Sequence, residues 1–392
     1  MRTSVIPVTT AVAAVSLILA GCGSSDDGDG GGGALVGEGS GDSCTIEDPI
    51  PVGAALSLTG AAGSYGESQR NGLELAQKHL EEASSDISYD LTIEDDQTDP
   101  RQGITVFEQF SASGGMSVII GPTLSNGGFQ AQPIAQEAGV PVLAISNTAV
   151  GITEQGDYIF RDSLTEEQVI PQTIAKANEV YGLERVVVMY SNDDAFTESG
   201  YDVFIEALEA EGVEVVSDLS FSKDDTDFRS LLTEAQGAQP DALVVSALIE
   251  AAIPLVTQAR ELGIEAPIVG GNGFNNPQLM ADAGDAAEGV VVGAAWNSAS
   301  DNPENTEFLA AYEDEYGSGP DQFAAQAYAG LTLIDQAVRA GCSGERDAIR
   351  DGLAELSDVP TVLGSVSINE NRDAEHPAVV QVVENGSFAV LG

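Results

Sequence analysis

Short apolar, β-branched runs bounded by glycine and proline recur along this chain, and most are followed by a stretch with helical spacing. Residues 51–58, 117–121, 140–145, 185–191, 242–247, 267–270 and 290–296 read as strands, several of them apolar on both faces as in a parallel sheet. Residues 89–95 alternate as a half-buried strand does, and 158–163 and 213–221 add two more. Helical periodicity marks 67–83, 102–112, 129–138, 166–181, 196–211, 228–235 and 250–262, and further helices are predicted at 303–316, 322–340 and 346–356. The pair Asp99-Pro100 supplies an N-cap and a first-turn proline for the helix at 102. The tail returns to strands at 363–368 and 378–383. A TIM barrel would use eight βα units in about 250 residues. This chain has a surplus and a strand-rich tail, so the pattern predicts two doubly wound α/β lobes.

One stretch organises the rest. Residues 117–148, SVIIGPTLSNGGFQAQPIAQEAGVPVLAISNT, read as strand, polar loop, helix, strand, polar loop. Both strands end in small hydroxyl and amide residues: Thr123, Ser125 and Asn126 after the first, Ser146, Asn147 and Thr148 after the second. In open α/β sheets ligands bind beyond the carboxyl ends of strands, near helix starts with free N–H groups. The pattern is therefore either a cradle for a small polar or anionic group or a set of ordinary caps and turns.

Charge narrows the partners. The 392 residues carry a formal net charge of −49, from 63 acidic and 14 basic residues. A field of that sign opposes nucleic-acid binding and adsorption to anionic lipid, and suits a protein kept soluble in high salt. It does not report on the polarity of a pocket.

The N-terminus adds a location. Arg2 precedes a mostly apolar run at 5–19, and then comes Leu19-Ala20-Gly21-Cys22. This resembles a bacterial lipobox, which implies a signal peptide over 1–21 and lipidation of Cys22. The apolar run is short of the roughly 18 to 20 residues a spanning helix needs, and no later segment approaches that length. A Gly/Ser/Asp-rich tether over 22–43 follows. Its G-x-G-x-x-G match, Gly28 to Gly33, has no strand before it and no helix after it, so it is not a dinucleotide site. Two cysteines remain, Cys44 and Cys342, which outside the cytoplasm are either bridged or two free buried thiols.

Taken together, the lipobox, the tether and IPVGAALSLTGAAGSYGESQRNGLELA resemble the opening of type I periplasmic binding proteins, and more narrowly the Leu/Ile/Val-type receptors of ABC importers. Supporting segments are IEDDQTDPRQGI, VIIGPTLSNGGFQAQPIAQEAGVPVLAISNTA, YSNDDAFTESG, DFRSLLTEAQGAQPDALVVSAL and IVGGNGFNN, in that order from residue 50 to the C-terminus. The resemblance implies two lobes joined by a hinge, 44–166 plus 297–374 and 167–296 plus 375–392. That division puts Cys44 and Cys342 in one lobe and favours a bridge. It also implies a non-enzymatic, monomeric receptor that needs no cofactor, captures a small molecule, touches the membrane through its lipid alone and serves an ABC permease.

The resemblance assigns Ser125, Ser146 and Thr148 to the ligand's polar head, Phe196 to the mobile lobe, and Tyr65 and Phe323 to the ligand's side chain. Two positions depart from amino-acid receptors of this type: Asn272 stands where an acid usually meets the ammonium, and Leu248 where tyrosine is common. Either Asp194 or Glu250 compensates, or the ligand is an amide, organic acid, aromatic acid or polyol. A sensor domain for a signalling receptor is the rival role. An enzyme finds no support: there is no G-x-S-x-G elbow, and neither Cys44 nor Cys342 has a plausible histidine partner. His79 is expected at the surface and His376 in the tail, with Trp296 as packing, and Asp95, Asp96 and Asp99 as strand end and cap. These features argue against zinc or calcium.

Overall fold

The computed structural model describes residues 35–392. The expected signal peptide, the lipidated Cys22 and the tether up to residue 34 lie outside the described residues. The chain alternates β1 (Ile50–Leu56), α1 (Gly63–Ala83), β2 (Tyr89–Asp95), α2 (Pro100–Ser111), β3 (Val118–Ile120), α3 (Ser125–Ala138), β4 (Val142–Ala144) and β5 (Ile159–Arg161). It continues with α4 (Glu166–Tyr181), β6 (Arg185–Ser191), α5 (Ala195–Ala210), β7 (Glu214–Phe221), α6 (Arg229–Gly237), β8 (Ala242–Ser246), α7 (Ile249–Glu261), β9 (Ile268–Gly270), α8 (Gln278–Ala283) and β10 (Val291–Ala294). It closes with α9 (Pro303–Tyr316), α10 (Gln322–Gly341), α11 (Arg346–Ala354), β11 (Val359–Thr361), β12 (Gly364–Ile368), β13 (Ala374–Glu375), β14 (Val379–Glu384) and β15 (Ser387–Val390).

Two principal sheets form. The first, ordered β2-β1-β3-β4-β5, is parallel throughout. The second, β7-β6-β8-β9-β10-β14-β15, is parallel except for its last two strands. Strands β3, β4, β5, β8, β9 and β10 are buried on both faces, which is why they read as continuous apolar runs. Strand order reverses beside β1 in one sheet and β6 in the other, and such switch points open crevices at the carboxyl ends. Helices α1 and α10 cover the first sheet around Leu73, Ala324, Leu331 and Ile334. The chain passes from the first sheet to the second after β5. After β10 it runs through α9, α10 and α11 into a separate three-stranded antiparallel sheet, β11-β12-β13, and rejoins the second sheet at β14.

Residues 35–43, expected as the end of the tether, are held to the body instead. Val36 bridges Ser343, Glu38 bridges Thr45, and the Gly37 N–H donates to the Cys342 carbonyl at 2.9 Å. Cys44 and Cys342 are joined as a disulfide across 298 positions of sequence. Closing so long a loop restricts the unfolded chain, so Cys44→Ser with Cys342→Ser is expected to cost about 2–5 kcal/mol and lower the unfolding midpoint by roughly 4–10 °C. Scanning calorimetry of the variant checks this; a shift within about 1 °C would show that the loop is closed by packing alone.

Candidate functional site

The carboxyl ends of β1, β3 and β4 are tied together by a buried ring of polar side chains. Gln69 Nε2 donates to Ser146 Oγ at 2.7 Å, Ser146 Oγ donates to the Thr123 carbonyl at 2.6 Å, and Thr123 Oγ1 donates to Gln69 Oε1 at 2.6 Å. The Ser57 N–H donates to Thr123 Oγ1 at 2.9 Å, which fastens the ring to the end of β1. Asn147 lies beneath, donating to the Pro122 carbonyl and accepting from Gln132. Ser146 is therefore spent on the scaffold. Its hydroxyl both donates and accepts inside the ring, so its expected role as a direct head-group contact does not fit its bonding.

Ser125 and Thr148 differ. Ser125 is the first residue of α3, whose N-cap, Leu124, brings no side-chain acceptor. Its Oγ accepts one long bond, 3.4 Å, from the Ala149 N–H and keeps its own proton free. Thr148 Oγ1 is buried without a partner. An uncapped helix start beside two available hydroxyls is a receiving site for a carboxylate that needs no buried cation.

The facing wall comes from the second sheet. Phe196, Leu248, Asn272 and Gly273 close over Tyr65, Ser125, Ser146 and Phe323 around one small cavity, and Thr148 lines an adjoining one that shares Asn272. Six of the seven residues expected at the site thus meet in one place, with Thr148 next door. The two cavities measure ≈ 20 and ≈ 10 Å³, each about the space of one water. The Tyr65 and Phe323 rings pack with their centroids 4.5 Å apart, tilted by 43°. The Tyr65 hydroxyl does not point at free space: it donates to the Gly273 carbonyl at 2.6 Å and accepts from the Ile249 N–H at 2.8 Å. Burial raises its pKa well above the usual tyrosine value, so it stays protonated.

Comparison with known proteins agrees with this architecture. A family model described as periplasmic binding protein matches residues 49–387. The chain belongs to the periplasmic binding protein family. Among curated relatives, the Leu/Ile/Val-binding protein BraC3 of Rhizobium johnstonii is 24% identical over 331 residues, covering 83% of this chain and 88% of the relative. The solved structure of LivJ from Streptococcus pneumoniae, a branched-chain amino acid transporter substrate-binding protein in complex with isoleucine, matches at TM-score 0.82 and 26% identity, over 87% of this chain and 98% of that one. A solute-binding protein of an ABC transporter from Rhodopseudomonas palustris BisB5, in complex with 3,4-dihydroxybenzoic acid, matches at 0.79 and 26%, over 87% and 95%. The family is non-enzymatic, and its members are receptors for small solutes.

In this binding protein the polarity of Asn272 is set by its neighbours. The Ala295 N–H donates to Gln322 Oε1 at 2.7 Å, and a backbone N–H only donates, so the Gln322 amide is oriented. Gln322 Nε2 then donates to Asn272 Oδ1 at 2.7 Å. Asn275 Nδ2 donates to the same oxygen at 3.4 Å, so the protein itself engages the Asn272 acceptor, which argues against it as the partner for an ammonium group.

The two acids expected to compensate line a neighbouring cavity on the other side of Leu124 and Leu248. Asp194 caps α5, accepting from the N–H groups of Phe196 and Thr197. Glu250 shares with Asp96, Asp99, Asp194, Lys223 and Asp224 a cavity of ≈ 230 Å³ that meets the small one at Leu124 and Leu248, and burial chiefly pushes its pKa up to about 7. Asp95 and Asp99 are occupied with backbone N–H groups, as strand end and cap. His79 is half-buried and bonds Tyr328, not the open surface expected of it. Trp296 donates to Asn305 and packs on Phe308 just beyond β10.

Three residues escaped the sequence reading. Arg161, 2% exposed, donates to the carbonyls of Asn147 and Ala149 at 3.0 and 2.8 Å and pairs with Asp373 at 2.5 Å. Gln326 lies on α10 with both amide atoms buried and unpartnered. Glu166 opens α4 and is 2% exposed.

Proposed function

We propose that this chain is an extracytoplasmic receptor, anchored through a lipid on Cys22, that captures a small amino-acid-like solute and delivers it to an ABC permease. Lobes of 44–166 plus 297–374 and 167–296 plus 375–392 close on the solute by hinge rotation, and closure reports occupancy to the permease. The observation that carries this reading is the uncapped start of α3 beside the free hydroxyls of Ser125 and Thr148, at the junction of the two walls. It suits a carboxylate head. The apolar faces of Phe196, Leu248 and Phe323 suit an apolar or aromatic tail.

A second reading, an aromatic acid with no amine, draws on the engagement of the Asn272 acceptor within the protein and on the dihydroxybenzoate-bound relative. A thermal-shift screen of the mature protein over amino acids, amides, benzoates, organic acids and polyols tests both. A ligand at a hundred times its Kd stabilises by about 2.7 kcal/mol, a shift such a screen reads easily. Stabilisation by none of these compounds would sink the assignment.

A further inference from the structure

Thr148, Glu166 and Gln326 line one cavity, and their functional atoms share an unusual property. Thr148 Oγ1, both carboxylate oxygens of Glu166 and both amide atoms of Gln326 are buried with no hydrogen-bond partner. Folded proteins leave few buried polar atoms unpaired, because each costs a lost hydrogen bond to water. Five on three residues that line one cavity point to an occupant that supplies missing partners. We propose that Glu166, with Thr148 and Gln326, receives a protonated amine of the bound solute, so that the ligand carries a cationic amino group beside its carboxylate. The inference rests on the reading of this cleft as a solute site.

The placement of Glu166 supports it. Its backbone N–H donates to the Thr148 carbonyl at 3.1 Å, which sets the acid directly beyond the hydroxyl cradle. On its other side the carboxylate reaches α5. A Cβ on Gly200 would stand 3.1 Å from Glu166 Oε1 and 2.5 Å from Ser246 Oγ, so glycine is what leaves the acid room. Ser199 approaches the carboxylate but falls outside hydrogen-bond geometry, and its Oγ accepts from the Val150 N–H. Arg161, the cation within reach, is already spent on Asp373 and two carbonyls. Asp194 adds negative potential from the start of α5, and Asp162 lies near Gly330, a turn beyond Gln326 on α10.

Acceptors therefore outnumber donors here, and no protein cation neutralises them. A ligand with no amine would leave the acceptors of Glu166 and Gln326 unmet, whereas an ammonium brings the N–H donors, and a charge that stabilises the ionised acid. Burial, as the largest cause, pushes the Glu166 pKa up to about 8, with Ser199 and Arg161 opposing and Asp194 reinforcing the rise. At pH 7 the empty site thus holds a proton that an arriving ammonium would expel.

The test uses matched probes on the mature protein: L-leucine against 4-methylpentanoate, L-phenylalanine against 3-phenylpropanoate, and 3,4-dihydroxybenzoate alone. The amine-bearing member of a pair should bind and its partner should be at least about tenfold weaker, the range expected for a charge-assisted hydrogen bond. Glu166→Gln should weaken the amine-bearing probe by roughly 10- to 100-fold, and Glu166→Asp should recover part of that loss. Calorimetry of the wild type in buffers of different ionisation enthalpy should show close to one proton released per ligand at pH 7, and none in Glu166→Gln. The proton count on the wild type stands even where a variant folds poorly. Equal binding within a pair, stabilisation by dihydroxybenzoate alone, or unchanged affinity in Glu166→Gln overturns the amine assignment and leaves the solute receptor intact. Silence from every probe overturns the receptor reading and the inference with it.

Discussion

Replacing Ser125 and Thr148 together with alanine is expected to weaken solute binding by more than tenfold while leaving the fold intact. The two hydroxyls are nearly free of obligations within the protein: one accepts a long bond from Ala149, and the other has no partner at all. Removing them therefore costs the protein little, but deprives a carboxylate of two donors worth about 1.5–3 kcal/mol each when charge-assisted. Ser146→Ala is the contrasting control. It opens the ring of Gln69, Ser146 and Thr123, and so should lower stability by about 1–3 kcal/mol. Isothermal calorimetry with any compound that stabilises the wild type reads the first effect, and urea unfolding the second. Full affinity in the double variant would remove the cradle from the ligand site.

Arg161→Met is expected to be among the most damaging single substitutions to stability, at about 3–5 kcal/mol in urea unfolding. The side chain is nearly fully buried and serves three partners at once, Asp373 and the carbonyls of Asn147 and Ala149. Its loss would strand a largely buried carboxylate and leave two carbonyls unmet, the costly way to break an ion pair. Those carbonyls flank Thr148, so the same substitution should also loosen the cradle and weaken binding. A loss under about 1 kcal/mol would show that the 147–149 turn holds itself.

What the sequence made legible follows from how each feature is encoded. Strands such as β3, β4 and β8 were readable because a strand buried on both faces must be apolar throughout. The start of α3 was not readable. It carries Asn126, Gly127 and Gly128, weak helix formers behind an N-cap that has no side-chain bond, so periodicity begins only at Phe129. At the site, hydroxyls at strand ends located the cradle, but not which of them is spoken for. Ser146 and Tyr65 are committed to partners 23 to 208 positions away, which no local pattern announces. Glu166 was hidden differently. Thr165 and Gln168 form a capping box, and acids in the first turn after such a box are ordinary on a surface helix. Its burial depends on a neighbour distant in sequence, α5, where Gly200 leaves the carboxylate room.

The hydroxyl of Tyr65 joins a residue of α1 to the loops after β8 and β9, and so links the groups around the first sheet to those around the second. Both bonds are internal to the protein, and the hinge opening proposed for release would have to break them. Part of the barrier to escape is therefore set by the receptor itself, and residence time need not track the strength of the solute's own contacts. Because the hydroxyl keeps its proton throughout the working pH range, that brake is indifferent to acidity, even where the carboxyl of Glu166 is not.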